Sequence, residues 1–188
     1  FGFNGASQLA LGTYADANAV ATIFTNTTMA ASGGVLSPMI ISRLMDGKTD
    51  VGATLNGAIA GLVSITAEPL TPSIGEAILI GGIGGIICMF GMKLLDTLKI
   101  DDVVGAVPAH LFAGIWGTLI VPFTNSETSY GTQIIGIISF GVFTVIGSTI
   151  VWMILKSTVG IRASKEDEVY GLDHTETGSP GLEYVSKK

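Results

Sequence analysis

Charged side chains punctuate this chain at wide intervals and leave five stretches free of formal charge, at 17–42, 51–67, 77–92, 103–126 and 128–155. A helix needs about 20 residues to cross the hydrocarbon of a bilayer, so each stretch predicts a transmembrane helix. The second and third are short by this count. The third is expected to begin near Ser73, just after Pro72, with Glu76 among the lipid headgroups, and to continue past Lys93 as that side chain snorkels. Pro72 suits such a helix start, where its missing N–H costs nothing.

The basic residues test this division independently, because Lys and Arg gather in cytoplasmic loops. Arg43 and Lys48 follow the first stretch, Lys93 and Lys99 the third, and Lys156, Arg162, Lys165, Lys187 and Lys188 the fifth. The opposite loops hold Asp16, Glu68, Glu76 and Glu127 and no base, so all nine basic residues fall on one side. That side is expected to be the cytoplasm of a cell (inner) membrane, with the C-terminus there and Asp16 outside. Residues 1–11 then form the outer end of a helix rising from the cytoplasm.

The chain opens at Phe1 without a methionine, a basic n-region or a small-residue cleavage site, which predicts the C-terminal piece of a longer protein. Past Ile161 the sequence turns to Arg-Ala-Ser-Lys-Glu-Asp-Glu and then to Gly171, Gly178, Pro180 and Gly181, a solvated tail that need not fold. The expected organisation is a transmembrane domain over 1–161 and a cytoplasmic tail over 162–188.

Composition supports the membrane class: 13% of residues are charged, against a usual share of about 25%. Glycine is in excess, 26 of 188 residues, and in apolar context small residues let helix backbones approach closely. Gly57 and Gly61, and Gly81 and Gly85, both keep the small-xxx-small spacing, a weak signal in either case. Cys88 is the single cysteine, so no intrachain disulfide exists, and its apolar setting reads as a small hydrophobe. The net charge of −6 is too segregated to argue for a basic partner.

One titratable side chain, His110, lies inside the fourth stretch, and an imidazole in hydrocarbon is a functional-site hypothesis by default. The alternative is a hydrogen bond that ties two helices together. Pro108, two residues earlier, removes a backbone bond and loosens the ladder. Ala106, Ala113 and Gly114 leave the surrounding face bare, which fits close helix packing as well as it fits a narrow conduit. Asp101 and Asp102 open this helix as carboxylates at its N-terminus, a capping position.

Phe1 to Ser7 reads either as an interfacial aromatic belt or as the mouth of a polar vestibule. One intramembrane histidine and scattered acids make no metal-ligand set. The sequence holds no phosphate loop, nucleophile elbow or basic-aromatic patch, so neither an enzyme, a bound cofactor nor a nucleic-acid partner is expected.

Several segments together resemble the ammonium transporter family, the Amt/Mep/Rh proteins. FGFNGAS at 1–7 is similar to that family's FGFNAGS, GAIAGLVSIT at 57–66 to its GAIAGLVGVT, and IDDVVGAVPAHLFAGIWGTL at 100–119 to its VDD...H...GIVG helix. The likeness continues into GLDHTETG at 171–178 and Tyr184. It implies an all-α polytopic transmembrane helix bundle, the second inverted repeat of an eleven-helix channel-like transporter, running from the end of helix six through helix eleven. It also implies a homotrimer that conducts ammonium or ammonia, with the preference between ammonium and methylammonium left open.

By resemblance, His110 falls on the second of two paired pore histidines, a proton relay. Phe3 falls on one of two stacked aromatics gating the outer mouth, and Ser7 on a hydroxyl that recruits external ammonium. Asp102 matches a structural position below the histidine helix. Glu166 to Glu168, Gly171 and Asp173 fall in a regulatory tail, where a PII-type protein docks at the cytoplasmic face of many prokaryotic members.

Three positions depart from the common pattern and point to a subgroup: Thr66-Ala-Glu-Pro69, Gly105 and Thr177. Two alternatives stand beside the transporter: an ammonium sensor of the same fold, and a non-transporting membrane scaffold.

Overall fold

The computed structural model describes residues 1–178, apart from the side chain of His174. Its elements are α1 (Gly2–Ala6), α2 (Tyr14–Asp46), α3 (Val51–Ile65), α4 (Ile74–Thr97), α5 (Val107–Thr124), α6 (Tyr130–Thr158), α7 (Lys165–Tyr170) and α8 (Leu172–Thr177). The chain divides into two compact units, 1–138 and 139–188, so the division falls within α6. Lys187, Lys188 and Tyr184 lie outside the described residues.

Capping chemistry sets most of these boundaries. Thr13 and Asp16 form a reciprocal capping box at the start of α2, and Ser73 with Glu76 does the same for α4. That is where a start just after Pro72 was expected. The Asp50 carboxylate accepts the Ala53 N–H at 2.9 Å to open α3, and Gly47, at φ 71°, closes α2 in the left-handed conformation.

Five helices occupy the five expected stretches. Among the described residues α4, α5 and α6 are long and apolar enough to cross a membrane; α3 is apolar but has 15 residues. In α2, 33 residues long, hydroxyls lower the hydropathy. Thr22, Thr25, Thr28 and Ser32 each donate to the carbonyl four residues back, at 2.8–3.0 Å, which satisfies them within the helix.

The first unit is built on mutual packing of α2, α3 and α4. Three small-xxx-small pairs converge there: Ala30 and Gly34 on α2, Gly57 and Gly61 on α3, Gly81 and Gly85 on α4. A β-carbon added at Gly61 or Gly81 would run into the Ala30 carbonyl, and one at Gly57 or Gly85 into the Gly34 carbonyl. Pro38 lacks the N–H that would otherwise bond the Gly34 oxygen, and that freed carbonyl is the one facing Gly57 and Gly85. Side-chain bonds then lock the edges. Ser37 donates to Gly82 O at 2.7 Å, and the buried Asn26 amide donates to Pro69 O and Pro72 O, holding the α3–α4 loop against α2.

The α1 helix is shorter than the expected run of 1–11. It ends at Ala6, and Leu9 turns the chain with φ 59° before Gly12. In the second unit, the segment that by composition need not fold carries two short helices. Ser164 caps α7, whose first turn holds Glu166, Asp167 and Glu168 where the helix dipole favours acids, and Arg162 forks onto Glu168 at 2.7 and 3.2 Å. The α6 helix has no buried residue along its length.

Candidate functional site

The approach to His110 is assembled by three devices. Asp102 accepts the Ala106 N–H on one carboxylate oxygen at 2.8 Å and the Val107 N–H on the other at 2.9 Å. Asp101 is exposed and takes no part in this cap. Gly105, buried and at φ 72°, then turns the chain in a conformation that a side chain disfavours. Ala109 N–H bonds back to Gly105 O at 3.1 Å, and the helix proceeds.

Pro108 therefore sits in the first turn, where a missing N–H is harmless, rather than in the helix interior assumed from the sequence. The ladder is loosened by the turn itself. Val107–Phe112 is a π-turn, in which Ala113 N–H reaches Pro108 O five residues back. His110 lies in the middle of it.

This turn keeps a stripe of small residues straight. Gly105, Ala109, Ala113 and Gly117 recur every four residues and are all buried. Four residues overshoot one α-turn of 3.6 and undershoot one π-turn, so mixing the two keeps the stripe in line. The stripe faces Asn56, Ala60 and Ser64 on α3, also four apart. Asn56 donates to Val104 O at 3.0 Å; Ala60, Cys88, Ala109 and Ala113 form one buried cluster; and Ser64 backbone blocks any β-carbon at Gly117. Pro108 and Phe112 fit over Gly91 of α4, and Trp116 donates to Ile80 O at 3.0 Å.

The bare face read around His110 thus splits in two. Ala113 is packing and belongs to the seam. Ala106 and His110, together with Leu111, stay on the surface of this unit. Among the described residues no hydrogen bond from another helix reaches the imidazole.

At the other end of the unit, α1 packs on α2 alone among the described elements. Asn4 donates to Thr27 Oγ1 at 3.1 Å with both residues buried, and Phe1 meets Phe24 edge-on at 6.2 Å between ring centres. This anchorage leaves Phe3 76% exposed. The Ser7 hydroxyl donates to Phe3 O at 2.9 Å, which brings the two predicted residues together and leaves the Ser7 oxygen lone pairs open. Phe3 and Ser7 are not brought against the His110 helix within this unit.

In the second unit, Gly171 adopts φ 95° between α7 and α8, and the Asp173 carbonyl accepts from Thr177 Oγ1 at 2.6 Å. Arg162 holds the Glu168 carboxyl below the usual carboxylate range. Among the described residues no cluster of three His, Cys, Asp or Glu side chains could hold a metal. Sequence reasoning missed Asn56, Asn4 and Ser64. For Asn56 and Ser64 the signal was a polar residue facing a small-residue stripe, and for Asn4 a hydroxyl partner on α2, both visible only once the helices are paired.

A model of the Ammonium Transporter Family matches residues 1–181. The chain is 38% identical to ammonium transporter Amt2 of Archaeoglobus fulgidus over 94% of its length, covering 41% of that protein. A solved structure described as a sensor Amt protein superposes with a TM-score of 0.84 at 29% identity, covering 93% of this chain and 45% of that one. Mep2 of Saccharomyces cerevisiae, at 24% identity, shares the fold with a TM-score of 0.74 over 88% of this chain. The chain spans under half the length of these relatives. A match that runs through the first helix, the Asp102 cap, the His110 turn and the tail makes this chain a member of the ammonium transporter family.

Proposed function

We propose that this chain is the C-terminal half of a transmembrane ammonium transporter, with His110 lining an apolar pore closed by the rest of the protein. The observation that carries this reading is the rotation of α5. A seam of small residues buries one face of an apolar helix and leaves its single titratable side chain on the open face. An uncovered imidazole in hydrocarbon is costly, and covering it with a second half of the protein removes that cost.

Phe3 would then attract NH4+ by its π face, and the Ser7 oxygen would accept an N–H from it at the outer mouth. Deeper in, an apolar pore rejects a bare cation, so the ion gives up its proton or passes it along, and a neutral imidazole both accepts and donates. Methylammonium fits the same chemistry. The working form is a homotrimer in the cell (inner) membrane, 1–161 spanning the bilayer and 162–188 cytoplasmic. There Gly171 and Asp173 would serve regulation and a PII-type partner. No catalysis and no cofactor are required.

The test is His110→Ala in the full-length protein, expressed in cells lacking other ammonium transporters. Uptake of labelled methylammonium falls, or its inhibition by K+ rises; wild-type uptake and selectivity in this variant would refute the pore reading. The likeness to a sensor Amt protein favours a second reading, in which ammonium binding is signalled instead. A sensor would not restore growth of such cells on limiting ammonium, whereas a transporter would.

A further inference from the structure

Resting on the pore reading, we infer that Asn56 is the positioning residue that sets the rotation and height of His110. The Asp102 cap lies on the same chain segment and fixes only the start of the ladder. Among the described residues, the Asn56 amide makes the one side-chain hydrogen bond from another helix to the segment between Asp102 and His110, at 3.0 Å to Val104 O. The same nitrogen lies 3.7 Å from Met92 Sδ on α4, so a single amide joins α3, α4 and the turn that leads into α5.

Gly105 completes the clasp. A β-carbon there would stand 3.0 Å from Asn56 Nδ2 and 3.1 Å from Met92 Sδ, on a backbone already at φ 72°. The turn therefore lies close against Asn56 and Met92, and a side chain there would push both by a few tenths of an ångström on a backbone that already disfavours one.

The consequence follows from the π-turn immediately above. A π-turn carries one more residue than an α-turn, and it relaxes to α by slipping one position. One α-helical residue is 360° divided by 3.6, so the slip turns His110 about 100° relative to the chain before it. The packing of Ala113 and Gly117 against α3 resists this from beyond the turn. Asn56 resists it from before the turn, and the extra residue is trapped between the two. Asn56 touches no conducted ion in this account and acts through His110.

The experiment uses the full-length protein in cells lacking other ammonium transporters, with labelled methylammonium uptake normalised to the amount at the cell surface. Asn56→Leu keeps the branched outline of the side chain and removes the donor; Gly105→Ala disturbs the same clasp from the other side. His110→Ala runs in parallel. Both clasp variants are expected to lower the maximal rate about fivefold or more, the scale of one lost hydrogen bond. They should also shift K+ inhibition in the same direction as His110→Ala.

The apparent KM should stay within about twofold, because Phe3 and Ser7 ride on α1, which packs on α2 alone. A loss that disappears on normalising to surface amount, or a rise in KM at constant maximal rate, overturns the inference while leaving the pore reading intact. If Asn56→Leu does not reach the surface, Gly105→Ala decides on the same criteria. A silent His110→Ala beside active clasp variants defeats the pore reading itself.

Discussion

Asp102→Ala is the most direct probe of how the His110 helix begins. In the structure both carboxylate oxygens are engaged, at 2.8 Å to Ala106 N–H and 2.9 Å to Val107 N–H. Removing an N-cap side chain costs about 1 kcal/mol and up to about 2 in favourable cases. Bonds to a charged acceptor reach about 1.5–3 kcal/mol each when water cannot replace them. Asp102 is half-buried and the Ala106 end is exposed, so water recovers part of the loss and a net cost of about 2 kcal/mol is expected.

Asp102→Asn retains one acceptor oxygen for two N–H groups and should lose about half as much. Hydrogen exchange reads this locally: at 1.4 kcal/mol per decade, the Ala106 and Val107 amides should exchange about 30-fold faster in Asp102→Ala. Asp101→Ala is the control, since that neighbouring carboxylate has no part in the cap. Equal protection in the two alanine variants would refute the assignment of the cap to Asp102.

Three further outcomes are expected. Gly81→Ala drives a β-carbon into the Ala30 carbonyl and leaves it 2.6 Å from Ala30 Cα, where ordinary contact begins near 3.4 Å. The α2–α4 pair must part by more than about 1 Å at a cost of about 1–3 kcal/mol, seen as a lower thermal midpoint in detergent, whereas Gly75→Ala, with open space around it, should not lower the midpoint. Trp116→Phe removes the donor to Ile80 O within a similar shape and should cost about 1 kcal/mol by the same melt.

In the tail, Glu168 is held below the usual carboxylate range by Arg162, so the pair supports α7 above that range and loses hold as pH falls through the lowered value. Acidification should therefore lower the amide protection across Lys165–Tyr170, taken as exchange relative to the unstructured rate at the same pH, alkalinisation should not, and Arg162→Gln should abolish the difference.

The positions of the helices were legible in the sequence because hydropathy and capping are local. A charge-free run needs only its own residues to favour a bilayer, and Ser73 with Glu76 needs only three residues of spacing to start a helix. The tail was harder to read, since its polarity signalled solvation while the Ser164 cap and the Arg162–Glu168 fork still support a turn of helix. The glycine pairs at Gly57 and Gly61 and at Gly81 and Gly85 were visible, but their partner, Ala30 with Gly34, was not. A helix contact is a property of two surfaces, and spacing along one chain segment does not name the other.

His110 divides along the same line. Its presence as the one titratable group in a long apolar stretch, and its resemblance to a pore histidine, came from the sequence alone. The face it occupies came from tertiary structure. The seam of Ala109, Ala113 and Gly117 against α3 decides which side of α5 is buried, and the π-turn corrects the drift of four-residue spacing so that the imidazole is left on the open side. Composition along the chain determines which segments leave water. Only the packing of one backbone against another decides the rotation of each, because that rotation is set by contacts between residues as far apart as Asn56 and Val104.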